Sequence, residues 1–318
     1  MYQPRPPLLN GLTPFSRLLF SVLLIISCFA VVFLLGILVA IPLFGFNFNS
    51  LLSLSGNYDD PGTLRLLEYL QILQSFGLLI IPPLLAGFFF ERNAPGYLHL
   101  DKPSRLMVFL LTLILMFVSL PVTNWMVSVN EMMKLPHFLK GVEDWMKSSE
   151  EEAGRLTVAF MKMPSFGGFL FNLAMIALLP AIGEEFLFRG LLQRLFKEWL
   201  KNVHVAIFIT AFLFSAIHLQ FYGFLPRFLL GLILGYLFYW SGSLWVPVFA
   251  HFINNGMVVV ICFLSQRGLM DGDYEKFGAT DSVSLIVAGF LGTVICLWLI
   301  ARFGNRSGVH TVSREGNP

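Results

Sequence analysis

The sequence predicts an all-α membrane protein that crosses the bilayer about eight times and holds a polar active site inside its helical bundle. Hydrophobic residues make up 56% of the 318 residues, charged residues only 13%, and the mean hydropathy is +0.75. These values are typical of multi-pass membrane proteins. No segment alternates with the two-residue period of a barrel strand, so helices must satisfy the backbone inside the bilayer.

Apolar runs of about 20 residues define the predicted spans. Six are clear: 18–44, 69–90, 106–127, 166–188, 244–264 and 282–303. Two more, 204–222 and 224–240, are shorter or less apolar. The first run is too long for the apolar region of a signal peptide, which predicts a membrane anchor.

These spans divide one integral membrane domain, 1–318, into five parts. The parts are three helices within 18–127, an extracytoplasmic loop at 128–165, a core at 166–265, a last helix at 282–303 and a cytoplasmic tail at 304–318. The three cysteines lie in apolar runs without metal-ligand spacing, and we interpret them as small buried hydrophobic residues.

The basic residues predict the orientation of the chain. Lysine and arginine cluster before the first helix and after the second, fourth and eighth, as at Arg17, Arg92, Arg194 and Arg302. An even number of helices places these segments on one face, which the positive-inside rule makes cytoplasmic. The opposite loops hold most of the acidic residues, including Asp271, Asp273 and Glu275. We predict cytoplasmic termini, a bacterial inner (cytoplasmic) membrane and, at a net charge of +2, no nucleic-acid partner.

The 128–165 loop contains a predicted amphipathic helix. Ser149 is a candidate N-cap, and the three glutamates that follow it suit the positive end of the helix dipole. Leu156 and Phe160 then share an apolar face. The helix is expected to be either a solvated connector or a cap over the site.

The segment 183–189 closes an apolar run with two glutamates and an arginine. Ionisable groups inside a bilayer are costly and mark functional sites by default. Glu185 and Arg189 are spaced i,i+4 and can pair on one face of the helix. Glu184 points about 100° away, so its partner must come from another helix.

Three further polar side chains lie within apolar helices. His218 lies on the fifth predicted span, 204–222, whereas His251 and Asn255 share a face of the seventh. An antiparallel hairpin turning near Lys201 places Glu184 and His218 at the same depth, because 201 is midway between 184 and 218. The sequence therefore predicts that these four groups meet near the middle of the membrane.

These residues suit two kinds of hydrolytic site. A carboxylate and an imidazole can activate water as a nucleophile, while a second imidazole and an amide stabilise the oxyanion. Glu184, His218 and His251 could instead bind a divalent metal such as zinc, which would activate the water. The sequence leaves both open, although the His-Glu-x-x-His motif of zincins is absent.

Two other features concern helix packing. Pro180 and Pro247 each lie four residues before a candidate catalytic residue, and we hypothesise that the resulting kinks admit water. Pro247 could instead be a simple first-turn proline. Gly231 and Gly235 form a GxxxG face that predicts close contact between two helices.

The ordered motifs resemble those of the CPBP family of intramembrane proteases, which includes type 2 CAAX prenyl endopeptidases and bacterial proteins of bacteriocin processing and self-immunity. The family motifs Glu-Glu-x-x-x-Arg, Phe-x-x-x-His and His-x-x-x-Asn are found here at 184–189, 214–218 and 251–255. The resemblance covers about 166–265 and implies an eight-helix endopeptidase whose site opens to the cytoplasm. It implies that Glu184 and His218 activate water, that His251 and Asn255 form the oxyanion site, and that Glu185, Arg189 and Phe214 support them.

We therefore expect a metallo- or glutamate-type endopeptidase acting on a membrane-associated protein or peptide. The alternative is a non-proteolytic interaction or bacteriocin-immunity protein. A proton-coupled transporter is disfavoured because the chain lacks repeat symmetry and paired broken helices. The sequence leaves the oligomeric state and the exact substrate open.

Overall fold

The computed structural model describes residues 6, 8–9, 11–45, 58–133, 135–270 and 277–304. Every regular element within these ranges is helical, as predicted. The predicted loop residues Asp271, Asp273 and Glu275, and nearly all of the tail 304–318, lie outside the described ranges.

The long helices follow the apolar runs of the sequence. In chain order they are α1 (Pro14–Phe44), α2 (Pro61–Glu91), α3 (Leu106–Val118), α4 (Leu120–Glu131), α5 (Lys140–Phe160), α6 (Phe166–Leu200), α7 (Val203–Ala216), α8 (Phe224–Ser241), α9 (Trp245–Gln266) and α10 (Val283–Phe303). Single turns at Ala94–Tyr97, His137–Leu139 and Phe221–Gly223 connect some of them.

Six helices in the described part of the chain are long and apolar enough to cross a membrane, namely α1, α2, α6, α9, α10 and α8 with its preceding turn. The bent pair α3–α4 changes direction by 43° and is long and apolar enough for a seventh span when its two helices are taken together. The predicted helix at 204–222 corresponds to α7, whose 14 residues reach only about 21 Å at 1.5 Å per residue. Because the hydrocarbon core is about 30 Å thick, α7 by itself is too short to cross it.

The outside of the bundle is apolar. In the most hydrophobic window of α1, only 11% of the residues are buried, and large exposed side chains such as Leu34 and Leu38 cover its surface. Exposed apolar surface of this extent suits contact with lipid. One buried cluster joins α2, α6 and α7 around Phe90, Phe186 and Phe214, and another joins α3, α8, α9 and α10. All three cysteines are buried and free, as expected.

Pro180 lies within a continuous helix, after a wider turn. The preceding residues, Leu173–Leu178, form a π-helical turn in which the N–H of Leu179 donates to the carbonyl of Ala174. The wider turn accommodates the proline, so α6 remains one span instead of being broken there. Pro247 is the third residue of α9, so the first-turn interpretation holds: no intrahelical bond is lost there.

The loop at 128–165 is helical for longer than predicted. Helix α5 begins at Lys140, so Ser149 lies inside the helix and the predicted N-cap is wrong. Residues 140–149 contain no proline, and the apolar period extends back through Trp145, which allows the helix to start earlier. Phe160 is buried as predicted, and Leu156 is half-buried.

Two contacts place α5 over the turn that follows α7. The ring of Trp145 packs edge-to-face on Phe221 at a centroid distance of 5.4 Å. The carboxylate of Glu150 accepts a hydrogen bond of 3.4 Å from the backbone N–H of Tyr222. The helix therefore contacts the turn that follows His218, instead of lying apart as a solvated connector.

Candidate active site

A buried ion pair anchors the site on α6. Arg189 Nη1 lies 2.6 Å from Glu185 Oε1, and their side chains are 1% and 0% exposed. This is the i,i+4 pair expected from the spacing, although the residues from Phe186 onwards form a π-helical turn. Arg189 Nη2 also donates to the carbonyl of Gly231 at 3.0 Å, so the guanidinium links α6 to α8.

Glycines on α8 make this link possible. A Cβ on Gly231 would lie 3.0 Å from the Cα of Ala211, so α7 and α8 pack backbone to backbone, as the GxxxG face predicted. One turn further along, Gln193 Nε2 donates to the carbonyl of Gly235 at 3.1 Å. Two polar residues of α6 thus use carbonyls that the glycines leave accessible.

Glu185 has a second partner that the sequence reasoning missed. His251 Nδ1 lies 2.8 Å from Glu185 Oε1, so the carboxylate accepts from α9 as well as from Arg189. His251 is only 3% exposed. The second bond makes Glu185 the connection between α6 and α9 and fixes the orientation of the His251 ring.

Glu184 faces two histidines instead of one. Its Oε2 atom lies 4.0 Å from His218 Nε2 and 3.8 Å from His251 Nε2. The α6–α7 turn at Lys201 and Asn202 has the predicted hairpin geometry, with Asn202 capping α7. Glu184 and His218 are 15% and 28% exposed, so they form the accessible side of the cluster.

The hydrogen bonds determine which ring nitrogens carry protons. His218 Nδ1 lies 2.7 Å from the carbonyl of Phe214, which can only accept, so Nδ1 carries the proton. The carboxylate of Glu185 similarly requires a proton on His251 Nδ1. In the neutral rings both Nε2 atoms are therefore acceptors, and both face Glu184 Oε2, a buried atom with no hydrogen-bond partner among the described residues.

The three acceptors, Glu184 Oε2 and the Nε2 atoms of His218 and His251, are spaced so that a water molecule can bridge two of them. Two acceptors 3.8–4.0 Å apart can each receive a hydrogen bond of ordinary length from one water molecule. The arrangement can thus position a water next to a carboxylate that is able to take its proton.

Phe214 packs at the centre of the cluster. Its ring centroid lies 5.2 Å from that of His218 and 5.7 Å from that of His251. The guanidinium carbon of Arg189 lies 4.7 Å from the same centroid, a cation–π distance. The phenyl ring therefore fixes the positions of both imidazoles through packing, which is a physical reason for an aromatic residue one turn before His218.

Asn255 lies one turn beyond His251 on α9. Its Oδ1 accepts a hydrogen bond of 3.1 Å from Asn254 Nδ2. Within the described ranges its own Nδ2 has no acceptor, so the amide N–H groups remain available to a ligand. The structure gives no direct contact between Asn255 and Glu184 within those ranges.

The candidate metal ligands lie farther apart than the ligands of a zinc ion do. Two ligands of one tetrahedral zinc ion, each at about 2.1 Å, lie about 3.4 Å apart. The two Nε2 atoms lie 4.0 and 3.8 Å from Glu184 Oε2, and no group of three histidine, cysteine or acidic side chains in the described chain is arranged to hold a metal. As placed, these side chains do not form the ligand set of a tetrahedral zinc ion.

Comparisons with known proteins concern the same helices. Residues 166–257 match the family model described as type II CAAX prenyl endopeptidase Rce1-like. The resemblance to the CPBP family is confirmed over this segment. All four predicted catalytic residues lie within it, and we call residues 166–257 the CPBP-like core.

One similar relative is an uncharacterized protein, YpbD, of Bacillus subtilis (strain 168), which is 30% identical over 90 residues. The alignment covers 27% of this chain and 43% of YpbD, so the chain spans less than half the length of this relative. No solved structure gives a significant match. At the level of the family, the core match supports a CAAX-type intramembrane protease.

Proposed function

We propose that this chain is an intramembrane endopeptidase that hydrolyses a peptide bond of a membrane-associated protein or peptide. The observation that carries the proposal is the convergence of Glu184 Oε2 with the Nε2 atoms of His218 and His251, at 4.0 and 3.8 Å. The family match over the CPBP-like core supports the same reaction class.

Glu184 is the general base of the proposed reaction. A water molecule that donates to Glu184 and to His218 loses a proton to the carboxylate while its oxygen attacks the scissile carbonyl carbon. The electron pair of the C=O bond moves to the carbonyl oxygen. Glu184 then returns the proton to the amide nitrogen as the C–N bond breaks, which leaves a carboxylic acid and an amine. Proton transfer of this kind contributes about 10²–10⁴-fold to the rate.

Asn255 and His251 stabilise the oxyanion. The free amide N–H groups of Asn255 can donate directly. His251 can donate from Nε2 only as the imidazolium, because its Nδ1 proton is bound to Glu185. The carboxylate of Glu185 holds the His251 ring in the orientation that this role needs, as the carboxylate of a catalytic triad orients its histidine.

The apolar surroundings of the site support a membrane-associated substrate. Apolar helices surround the cluster, so the scissile bond must be presented from the bilayer or its surface. We propose CAAX-like processing near the C-terminus of the substrate, in a bacterial cytoplasmic membrane with both termini of the protease on the cytoplasmic side.

The test is cleavage by the purified protein of a panel of membrane-associated peptides. We expect Glu184→Gln and His218→Ala to lower kcat/KM by about 10²–10⁴-fold. Glu198→Gln is the matched control, because Glu198 is on the same helix but pairs with Arg17 at 3.5 Å, away from the site. It should retain nearly full activity.

Other outcomes would contradict the proposal in distinct ways. Full activity in both site variants would remove Glu184 and His218 from the reaction. Stoichiometric zinc with inhibition by chelators would replace base catalysis by metal activation. A cellular immunity phenotype retained by both variants, with no cleavage of any peptide, would favour the non-proteolytic alternative.

A further inference from the structure

The segment that follows His218 contains a backbone conformation that needs support. Leu219 has a φ of +54°, in the left-handed region that non-glycine residues rarely adopt. Its side chain is 53% exposed, so burial of the leucine does not offset the strain. Strained residues of this kind persist where the surroundings hold them, and they cluster at functional sites.

Arg227, in the first turn of α8, holds the next residue of this segment. Its Nη1 donates to Gln220 Oε1 at 2.9 Å, and its Nη2 donates to the backbone carbonyl of Gln220. The guanidinium lies against the backbone of Gly223, where a Cβ would approach Nη1 to 2.6 Å. A planar fork with two parallel donors suits this double contact, whereas an ammonium group does not.

The far end of the segment is held independently by α4. Asn130 donates to the carbonyl of Phe221 at 2.7 Å and accepts from the N–H of Leu225 at 2.8 Å. Between the end of α7 and this second anchor, the bonds from Arg227 to Gln220 restrain the peptide adjacent to Leu219. Arg227 makes no ion pair with the described carboxylates, and both of its side-chain hydrogen bonds within the described ranges go to Gln220.

We infer that Arg227 is a positioning residue for His218: by holding Gln220, it keeps Leu219 left-handed, and this keeps His218 Nε2 facing Glu184. The inference rests on the proposed function for its kinetic readout. It assigns a role to a residue outside the three motifs.

The first experiment separates the loop restraint from the charge. Arg227→Lys keeps the positive charge of the side chain but loses the paired donors. We expect kcat to fall at least tenfold with KM within about threefold of wild type. Arg267→Lys is the matched control, because Arg267 also donates to a backbone carbonyl, that of Pro164 at 3.0 Å, near the opposite end of α9 from Trp245. It should leave kcat unchanged.

The second experiment tests the route through Leu219. Glycine adopts the left-handed conformation without strain, and asparagine tolerates it well. In a Leu219→Gly or Leu219→Asn background, Arg227→Lys should lower kcat by less than about threefold. The same loss in all three backgrounds, or a loss confined to KM, would overturn the inference.

A readout without catalysis distinguishes this inference from the proposed function. Diethylpyrocarbonate modifies the unprotonated nitrogen of neutral histidines, and mass spectrometry gives the rate at His218. We expect Arg227→Lys to change that rate at least threefold and Leu219→Gly/Arg227→Lys to restore it. If the modification rates change in this way but the protein cleaves no peptide, the proposed protease function is refuted and the role of Arg227 is retained. If the rate at His218 is unchanged in Arg227→Lys, the role of Arg227 is refuted.

Discussion

Glu184 and Glu185 are adjacent in sequence but occupy different electrostatic environments. Glu185 is fully buried and accepts from Arg189 and His251, which belong to two helices. Glu184 is 15% exposed and faces two imidazole nitrogens without receiving a hydrogen bond at Oε2. A carboxylate with charged partners supports the fold, whereas one without them is available for proton transfer.

The two glutamine variants should therefore separate stability from activity. Glu185→Gln leaves the buried guanidinium of Arg189 without its counter-charge, and we expect a loss of about 3–5 kcal/mol in the free energy of unfolding. Glu184→Gln should keep the wild-type stability and lose activity. Thermal denaturation in detergent measures the stability of the two variants, and peptide cleavage measures their activity. Equal destabilisation of the two variants would contradict the assignment.

At the scale of elements, small residues decide how closely α7 and α8 approach. A Cβ at Gly231 meets both the Cα and the Cβ of Ala211 at 3.0 Å, whereas a Cβ at Gly154 in α5 meets no atom within 4 Å. The same substitution should therefore have opposite effects in the two helices.

Gly231→Ala is expected to separate α7 from α8 and to cost about 1–3 kcal/mol of stability through overpacking. It should also lower activity, because Arg189 donates to the carbonyl of Gly231. Gly154→Ala should stabilise the protein by about 0.5–1 kcal/mol, the usual gain inside a helix. Thermal denaturation shows whether each variant is more or less stable than the wild type. A Gly231→Ala variant that is more stable would contradict the close packing of α7 and α8.

Helix α5 carries a pH-dependent contact with residue 58. The hydroxyl of Tyr58 donates to the carboxylate of Glu152, and this bond, helped by Arg155, lowers the pKa of Glu152 below its usual value. A carboxyl whose pKa is lower in the folded state stabilises the fold above its unfolded pKa, about 4.3. That stabilisation is lost as the pH falls through the folded value.

We expect the difference in Tm between wild type and Glu152→Gln to be largest above about pH 5 and to vanish in stronger acid, below the folded pKa. The Tm of Tyr58→Phe should depend less on pH than the Tm of the wild type does over the same range. A difference in Tm that stays constant from neutral to acidic pH would show that the Tyr58 contact does not hold α5.

At the scale of the whole molecule, the site lies where helices of unequal length meet. The short α7 ends two residues before His218, which lies next to Glu184 near the middle of the 35-residue α6. The turn at Phe221–Gly223 and helix α5 then cover this end of α7. The end of α7 next to the candidate cluster is therefore the end opposite the Lys201 turn, and it faces α5.

The orientation of this arrangement in the membrane is a prediction from the positive-inside rule. Single cysteines at Lys201 and at Ser148 of α5, in a variant whose native cysteines are replaced by alanine, should differ in labelling by an impermeant maleimide in intact cells. We expect labelling at 148 and protection at 201. The reverse pattern would place α5 and its end of the bundle in the cytoplasm.

The sequence alone determined the features that depend on local periodicity. Apolar runs placed the spans, the i,i+4 spacing paired Glu185 with Arg189, and the symmetry of a hairpin brought His218 to Glu184. These features follow from the rise and the turn of a helix, which nearby residues set. The Ser149 cap failed because the extent of a helix also depends on the residues before its expected start.

The tertiary structure decided the contacts between helices that no spacing encodes. Only the packing of α9 against α6 brings His251 within hydrogen-bonding distance of Glu185 and places a second imidazole next to Glu184. Only the path of the chain after α7 brings Arg227 to Gln220 beside the left-handed Leu219. The physical reason is that helix rotation and loop geometry are set by side-chain packing and hydrogen bonds between distant residues, and these exist only once the bundle is assembled.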